Sequence, residues 1–234
     1  MYYQHIILDF EMNPVAKGNR NIKKELTREI IEIGAVKLNS NLEIIGRFNC
    51  LVKPQYSNDI SSYITKLTGI TSADVHKAVT FCEAVKMFEK WIGNEKTRIY
   101  SWSDSDLKQL QSECIFKEVP MPENMRRWMD FQLVYPRLMK IGGLGKKMSL
   151  KEAVTWYGIS IVDKKAHRAL YDAEVTTELV SSVLSGEYKK QMEVLNRNIT
   201  REENRETSVC LGEIYSGVFA QILQNMKQEL EYAR

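Results

Sequence analysis

The chain has 234 residues, 44% of them hydrophobic and 27% charged, with a net charge of +3. That composition excludes collagen, disordered tails and coiled-coil rods, and it suits one α/β domain of ordinary size with an appendage. The longest uncharged run, Ile214 to Met226, is too short for a bilayer, which takes ~20 apolar residues. A charge this mild does not announce nucleic acid by itself. The opening MYYQHIILDFEM lacks a basic head and meets two acids early, unlike a secretory signal. Cys50, Cys82, Cys114 and Cys210 are scattered, with no CxxC pair, which excludes a zinc finger and suits reduced thiols in a cytoplasm.

In chain order, His5 to Glu11 predicts a strand that is apolar on both sides, hence central in a sheet. Residues 13 to 28 form a polar basic insert. Ile30–Leu38 and Arg47–Pro54 predict a hairpin, with Asn39, Ser40 and Asn41 supplying the turn chemistry. A helix capped by Thr71 or Ser72 is expected to carry Val75, Val79, Phe81, Val85, Phe88 and Ile92 inward and to stop at Gly93. Arg98 to Ser103 predicts a short strand and a helix starts near Asp106, whereas Trp128 to Tyr135 suits helix and strand equally. Ser149 caps a helix over LKEAVTWYG, and a last core helix runs from about Arg168 to Leu184, ending at Gly186. Early strands, late helices and alternation between them mean a mixed sheet with helices packed on it, α/β in class. Residues 187–234 read as a C-terminal helical extension. Leu211, Ile214, Val218, Ile222, Met226 and Leu230 give its stretch 208–233 an apolar stripe to dock on the core, on a partner or on a second copy.

The informative feature is acids where a core should be. Asp9 and Glu11, two apart on a strand, project from one face at the end of an apolar run. Two like charges beside a core repel, and a buried carboxylate stripped of water costs several kcal/mol or more. A divalent cation relieves both penalties; the alternative is a strand end frayed into solvent. Asp172 falls on the buried stripe of Val175, Thr176, Leu179 and Val183, as an inward acid or a partner of the helix dipole. Asp106 opens the helix after RIYSWS, where Asp104 or Ser105 are rival caps. His167 stands five residues before Asp172, off its face and in the approach to that helix; an imidazole beside water held by a metal is suited to accept a proton near neutral pH. His5 and His76 read as structural.

Taken in order, LDFEM at 8–12, SDSDLKQL at 103–110 and HRALYDA at 167–173 resemble the three motifs of the DEDDh 3′→5′ exonucleases. REIIEIGAVKLN at 28–39 and ITKLTGITSADV at 64–75 are similar to that family's second strand and substrate-side segment, closest to its Eri/KapD-like branch. The resemblance covers about residues 4 to 185. It implies a ribonuclease-H-like mixed sheet flanked by helices, an exonuclease domain over residues 1–186, and two divalent ions, Mg²⁺ or Mn²⁺. Asp9, Glu11, Asp106 and Asp172 match the metal ligands, with Asp9 bridging, and His167 matches the general base. In SDSDL either Asp104 or Asp106 can be the ligand; Asp106 is preferred because leucine follows it directly. Phe10, Leu67, Thr68, Gly69 and Ile70 match the segments that face the terminal nucleotide. Tyr171 stands where many relatives carry a second acid, a departure that tunes the site.

The substrate this implies is the 3′ end of single-stranded RNA or DNA, with RNA favoured, released as nucleoside 5′-monophosphates. Basic residues at 17–28 and 137–151 are candidates for its backbone, with solvated loops as the alternative. GGLGKK at 142–147 lacks the glycine and hydroxyl spacing of a phosphate-binding P-loop. Phe10, Tyr63 and Trp102 are the aromatic candidates for base stacking, weighed against core packing. Rival readings are a non-catalytic nucleic-acid-binding adaptor and a proofreading subunit tethered to a polymerase by residues 187–234.

Overall fold

The structure, a computed structural model, describes residues 4–16, 20–139, 147–157, 167–190 and 193. The chain divides into two compact units, Met1–Asp130 with Val162–Thr177, and Phe131–Ile161 with Glu178–Arg234.

In the first unit, β1 (Gln4–Pro14) is followed by α1 (Arg20–Glu25), β2 (Arg28–Leu38) and β3 (Ile44–Lys53). Then come α2 (Ser62–Thr68), α3 (Ser72–His76), β4 (Val79–Thr80), α4 (Phe81–Ile92), β5 (Thr97–Ser101), α5 (Ser105–Phe116) and β6 (Trp128–Asp130). The strands form one sheet in the order β4-β3-β2-β1-β5-β6. Antiparallel pairs join β1 to β2 and β2 to β3, while β5 runs parallel to β1 and β6 parallel to β5. The second unit holds α6 (Phe131–Leu138) and α7 (Leu150–Tyr157), where Gln132 donates to the Met148 carbonyl and the Tyr135 hydroxyl to that of Ala153. Helix α8 (Ala169–Ser185) gives its first half to the first unit and ends before Gly186, at φ 82°. Ser149 caps α7 as expected, in a reciprocal pair with Glu152.

Two expectations need correction. The helix expected to run unbroken to Gly93 is two helices, α3 and α4, with β4 between them. Thr71 with Asp74 and Thr80 with Glu83 each form a reciprocal cap, so a new helix starts at Phe81, and Val79 and Thr80 pair with β3 instead. The basic insert begins later than expected, because β1 continues to Pro14. The ambiguous stretch 128–135 is both things, β6 and then α6.

The sheet is central because both its faces are covered. Ile6, Leu8, Phe10, Ile33, Ala35 and Ile99 pack on one face against Phe81, Val85, Phe88 and Ile92 of α4 and Leu110 and Cys114 of α5. Ile30 joins Ile33 in this cluster although they are three apart, which a period of two forbids. A bulge at Glu11/Met12 makes this possible, and it turns Ile31 into a second cluster with Ile60, Ile64, Ile70 and Val75. No helix among the described residues is long and apolar enough to cross a membrane. Cys210 and the stripe at 208–233 lie outside the described residues.

Candidate active site

Pairing between β1 and β2 sets Asp9 opposite Gly34 and Glu11 opposite Glu32, so these four positions share one face, away from the Phe10 cluster. Helix α8 starts directly over them. A Cβ on Gly34 would stand 2.0 Å from the Leu170 backbone nitrogen and 2.1 Å from the Ala169 carbonyl carbon, so only glycine lets the helix come this close. That approach brings Asp172, in the first turn of α8, down onto the acids of β1. Asp9, Glu11 and Asp172 each present a carboxylate oxygen within 4.8 Å of the others.

Asp106 arrives from the other side. It is buried at the start of α5, just past β5, and its Oδ1 accepts the Phe10 backbone N–H at 3.2 Å. Asp104 is half exposed and pairs instead with Lys108 one turn on, at 2.5 Å. The two acids of SDSDL therefore have separate surroundings, and Asp106 is the one turned to β1.

Electrostatics mark the cluster as poised for a cation. Burial, then the charges of Asp106, Glu11, Asp172 and Glu32, push Asp9 well above the usual carboxylate range. Glu11 is pushed up to about 9 by burial, then by Asp172, Glu32 and Asp106. Burial lifts Asp106 to about 7 against its hydrogen bond from Phe10, and lifts Asp172 to about 6 against the neighbouring His167. Four oxygen-donor acids from three elements, raised chiefly by burial and, at Asp9 and Glu11, further by neighbouring carboxylates, fit a hard divalent cation.

His167 is exposed and precedes α8 in the left-handed region, at φ 63°. His5 and His76, read as structural, each have a partner: a ring nitrogen of His5 meets the Tyr100 hydroxyl at 3.0 Å and one of His76 the Asn58 carbonyl at 2.7 Å. The Phe10 ring is in the core against Trp128, so what Phe10 offers the site is its backbone N–H. Leu67 to Ile70 close α2: Thr68 spans the Ile64 carbonyl and the Ile70 N–H, Ile70 is buried, and Gly69 is exposed at φ 75°. Tyr63 is 69% exposed, whereas Trp102 is buried. Lys24, Arg28, Arg137, Lys147 and Lys151 are exposed. Lys17, Lys140, Lys146 and most of GGLGKK lie outside the described residues.

Sequence reasoning missed a second set of buried carboxylates. Glu32, fully buried, accepts from the Arg168 side chain and from the Ala169 N–H. Glu29 accepts from the Gln55 and Tyr56 N–H groups and from Lys117, while Glu113 accepts from Lys117, Gln109 and the Ile30 N–H beside the bulge. At the end of β1, Asn13 bonds Asp59 and Ser61 and so ties the cap of α2 to β1. The signal was present: REIIEIG sets two acids in an apolar strand, just as LDFEM does.

The exonuclease family model (RNase T) matches residues 6–180. Among curated proteins, ERI1 exoribonuclease 2 of Xenopus laevis is 29% identical over 202 residues, covering 76% of this chain and 28% of that protein. Human 3′-5′ exoribonuclease 1 is 30% identical over 160 residues, covering 64% of this chain and 44% of that protein. The chain thus matches less than half the length of these relatives. Among solved structures, the nuclease domain of 3′hExo, a DEDDh family member bound to rAMP, superposes with a TM-score of 0.67 at 25% identity, covering 79% of this chain and 93% of that one. The mixed six-stranded sheet flanked by helices is the arrangement of these ribonuclease-H-like structures.

Proposed function

The chain belongs to the exonuclease family, and on that premise we propose that it is a metal-dependent 3′→5′ exonuclease acting on single-stranded RNA in preference to DNA. The observation that carries the reading is the convergence of Asp9, Glu11 and Asp172 to within 4.8 Å, with Asp106 held beside them by the Phe10 N–H. The preference for RNA is supported by the exoribonuclease relatives and by the rAMP held by the 3′hExo nuclease domain.

Asp9, Glu11, Asp106 and Asp172 would hold two divalent ions, Mg²⁺ or Mn²⁺, whose charge stabilises the attacking and leaving oxygens of an in-line displacement at phosphorus. The chain's own groups do the rest. His167, exposed beside the acids, takes the proton of the attacking water as its oxygen bonds to phosphorus and the bond to the 3′ oxygen breaks. The leaving oxygen is protonated from solvent, and a nucleoside 5′-monophosphate departs. The turn of Leu67, Thr68, Gly69 and Ile70 would meet the terminal nucleotide through its backbone and the open Gly69, the Thr68 and Ile70 side chains being buried beneath it. Arg28, which lowers Asp106 by its charge and is itself exposed, stands where a backbone phosphate would pass.

The test is a time course on matched 5′-labelled single-stranded RNA and DNA with Mg²⁺, Mn²⁺ or EDTA. A ladder shortening from the 3′ end, abolished by EDTA and by Asp9→Ala or Asp172→Ala, is expected, with RNA the faster substrate. Asp106→Asn should remove most of the activity and Asp104→Asn little of it. Full activity in Asp9→Ala would refute the assignment.

A further inference from the structure

The Arg168–Glu32 pair sits beside the acid cluster yet belongs to none of the roles assigned above. Glu32 has no exposed surface, so its charge needs donors. It finds them in one short segment: Arg168 Nε at 3.0 Å, Arg168 Nη2 at 2.5 Å, and the first helical N–H of α8, Ala169, at 3.0 Å. A planar guanidinium forked onto a carboxylate fixes direction as well as distance. The residue so fixed lies between His167 and the start of the helix that carries Asp172.

His167 is held in the left-handed region, which a side chain other than glycine adopts only when its surroundings impose it. Immediately after it comes the clamped Arg168. On the facing strand Glu32 is the cross-strand neighbour of Glu11, so the clamp references His167 to the same strand pair that carries the acids. The guanidinium also opposes the rise of Glu11, placing a fixed positive charge at the edge of the cluster.

We propose that Glu32 and Arg168 are positioning residues, which lock the segment 167–169 onto β2 so that His167 and Asp172 meet the acids of β1 in one geometry. The inference rests on the exonuclease reading for its effect on turnover, though not for its structural claim. Misplacing a reacting group by about 1 Å costs on the order of a hundredfold in rate while leaving binding largely intact. Loss of the clamp should therefore fall on kcat and spare KM.

The experiment uses the full chain as wild type, Arg168→Ala, Arg168→Lys and Glu32→Gln, with Asp9→Ala as the inactive control. Steady-state cleavage of single-stranded RNA is measured with Mn²⁺, and exchange of the Ala169 amide is followed by NMR in the metal-free protein. The expected result is a fall in kcat of about ten- to a hundredfold with KM within twofold, together with faster Ala169 exchange, and with Arg168→Lys intermediate. Should Arg168→Ala fail to fold, Arg168→Lys, which keeps the charge and loses the fork, decides alone. Unchanged kcat in the arginine variants overturns the proposal, as does a rise in KM at constant kcat, which would make Arg168 a substrate ligand. If the wild type cleaves nothing, the exonuclease reading has failed. The exchange arm then still decides: unchanged Ala169 protection in the arginine variants refutes the clamp, and lost protection upholds it.

Discussion

Replacing Gly34 by alanine is the smallest change that should open the site. The added methyl would stand 2.0 Å from a backbone nitrogen and 2.1 Å from a carbonyl carbon of α8, and no side-chain rotation relieves a contact with main chain. Restoring ordinary contact near 3.4 Å means moving the start of α8 off β2 by about 1.4 Å. That shift is enough to lengthen the Ala169 bond to Glu32 beyond hydrogen-bonding range from its present 3.0 Å. Overpacking of this kind costs about 1–3 kcal/mol, and loss of a bond to a buried charge costs about 1.5–3 kcal/mol. Taking about 3 kcal/mol in all, the melting temperature of a chain this size should fall by roughly 6–12 °C. Activity should suffer more than stability: Asp172 rides on α8 and would leave Asp9 and Glu11, at a cost of about a hundredfold in kcat. Thermal melting and single-turnover cleavage of RNA by the same preparation test both numbers. Wild-type kcat in a folded Gly34→Ala protein would show that the close approach of α8 to β2 does not set the acid geometry, and the reasoning would fall.

Two further outcomes follow from the charges. Glu11, Asp106 and Asp172, raised to about 9, 7 and 6, bind more protons folded than unfolded, so the metal-free protein should lose stability as pH rises from about 5 to 9. Melting curves across that range should show a decline that Mg²⁺ or Mn²⁺ removes, and a stability that rises with pH would contradict it. Lys117→Met, which strips the shared cation from the buried carboxylates of Glu29 and Glu113, should destabilise the fold by about 3–5 kcal/mol in urea unfolding. A loss below about 1 kcal/mol would mean that those two acids are neutral or hydrated.

Much of this architecture was legible in the sequence because it rests on local signals. The apolar runs of β1 to β3, the turn at 39–41, the Ser149 cap and the Gly93 and Gly186 stops all depend on residues within a few positions of one another. The break at Val79–Thr80 was legible in principle too, as a Thr-x-x-Glu cap, but the apolar period carried through it and masked it. In the site, Asp9, Glu11 and Asp172 stood out as acids placed among core residues, while Asp106 was singled out only by the resemblance to the exonuclease motifs; the fold brings Asp9, Glu11 and Asp172 together, with Asp106 beside them on the Phe10 N–H.

The same criterion, applied evenly, would also have picked Glu29, Glu32 and Glu113. What divides Asp9 and Glu11 from these three is the sign of their neighbours, which spacing does not carry. Glu32 meets Arg168 across 136 residues and Glu113 meets the Ile30 N–H across 83, so each of these acids is answered by a donor from this chain. Asp9 is answered by Asp106, Glu11, Asp172 and Glu32, every one an acid. A fold that supplies cations and N–H groups to three buried carboxylates, yet surrounds the half-buried Asp9 with further carboxylates, leaves Asp9 suited to a cation from outside. Burial alone finds acids of both kinds, and the balance of donors around Glu29, Glu32 and Glu113 on one side and Asp9 and Glu11 on the other is what separates them.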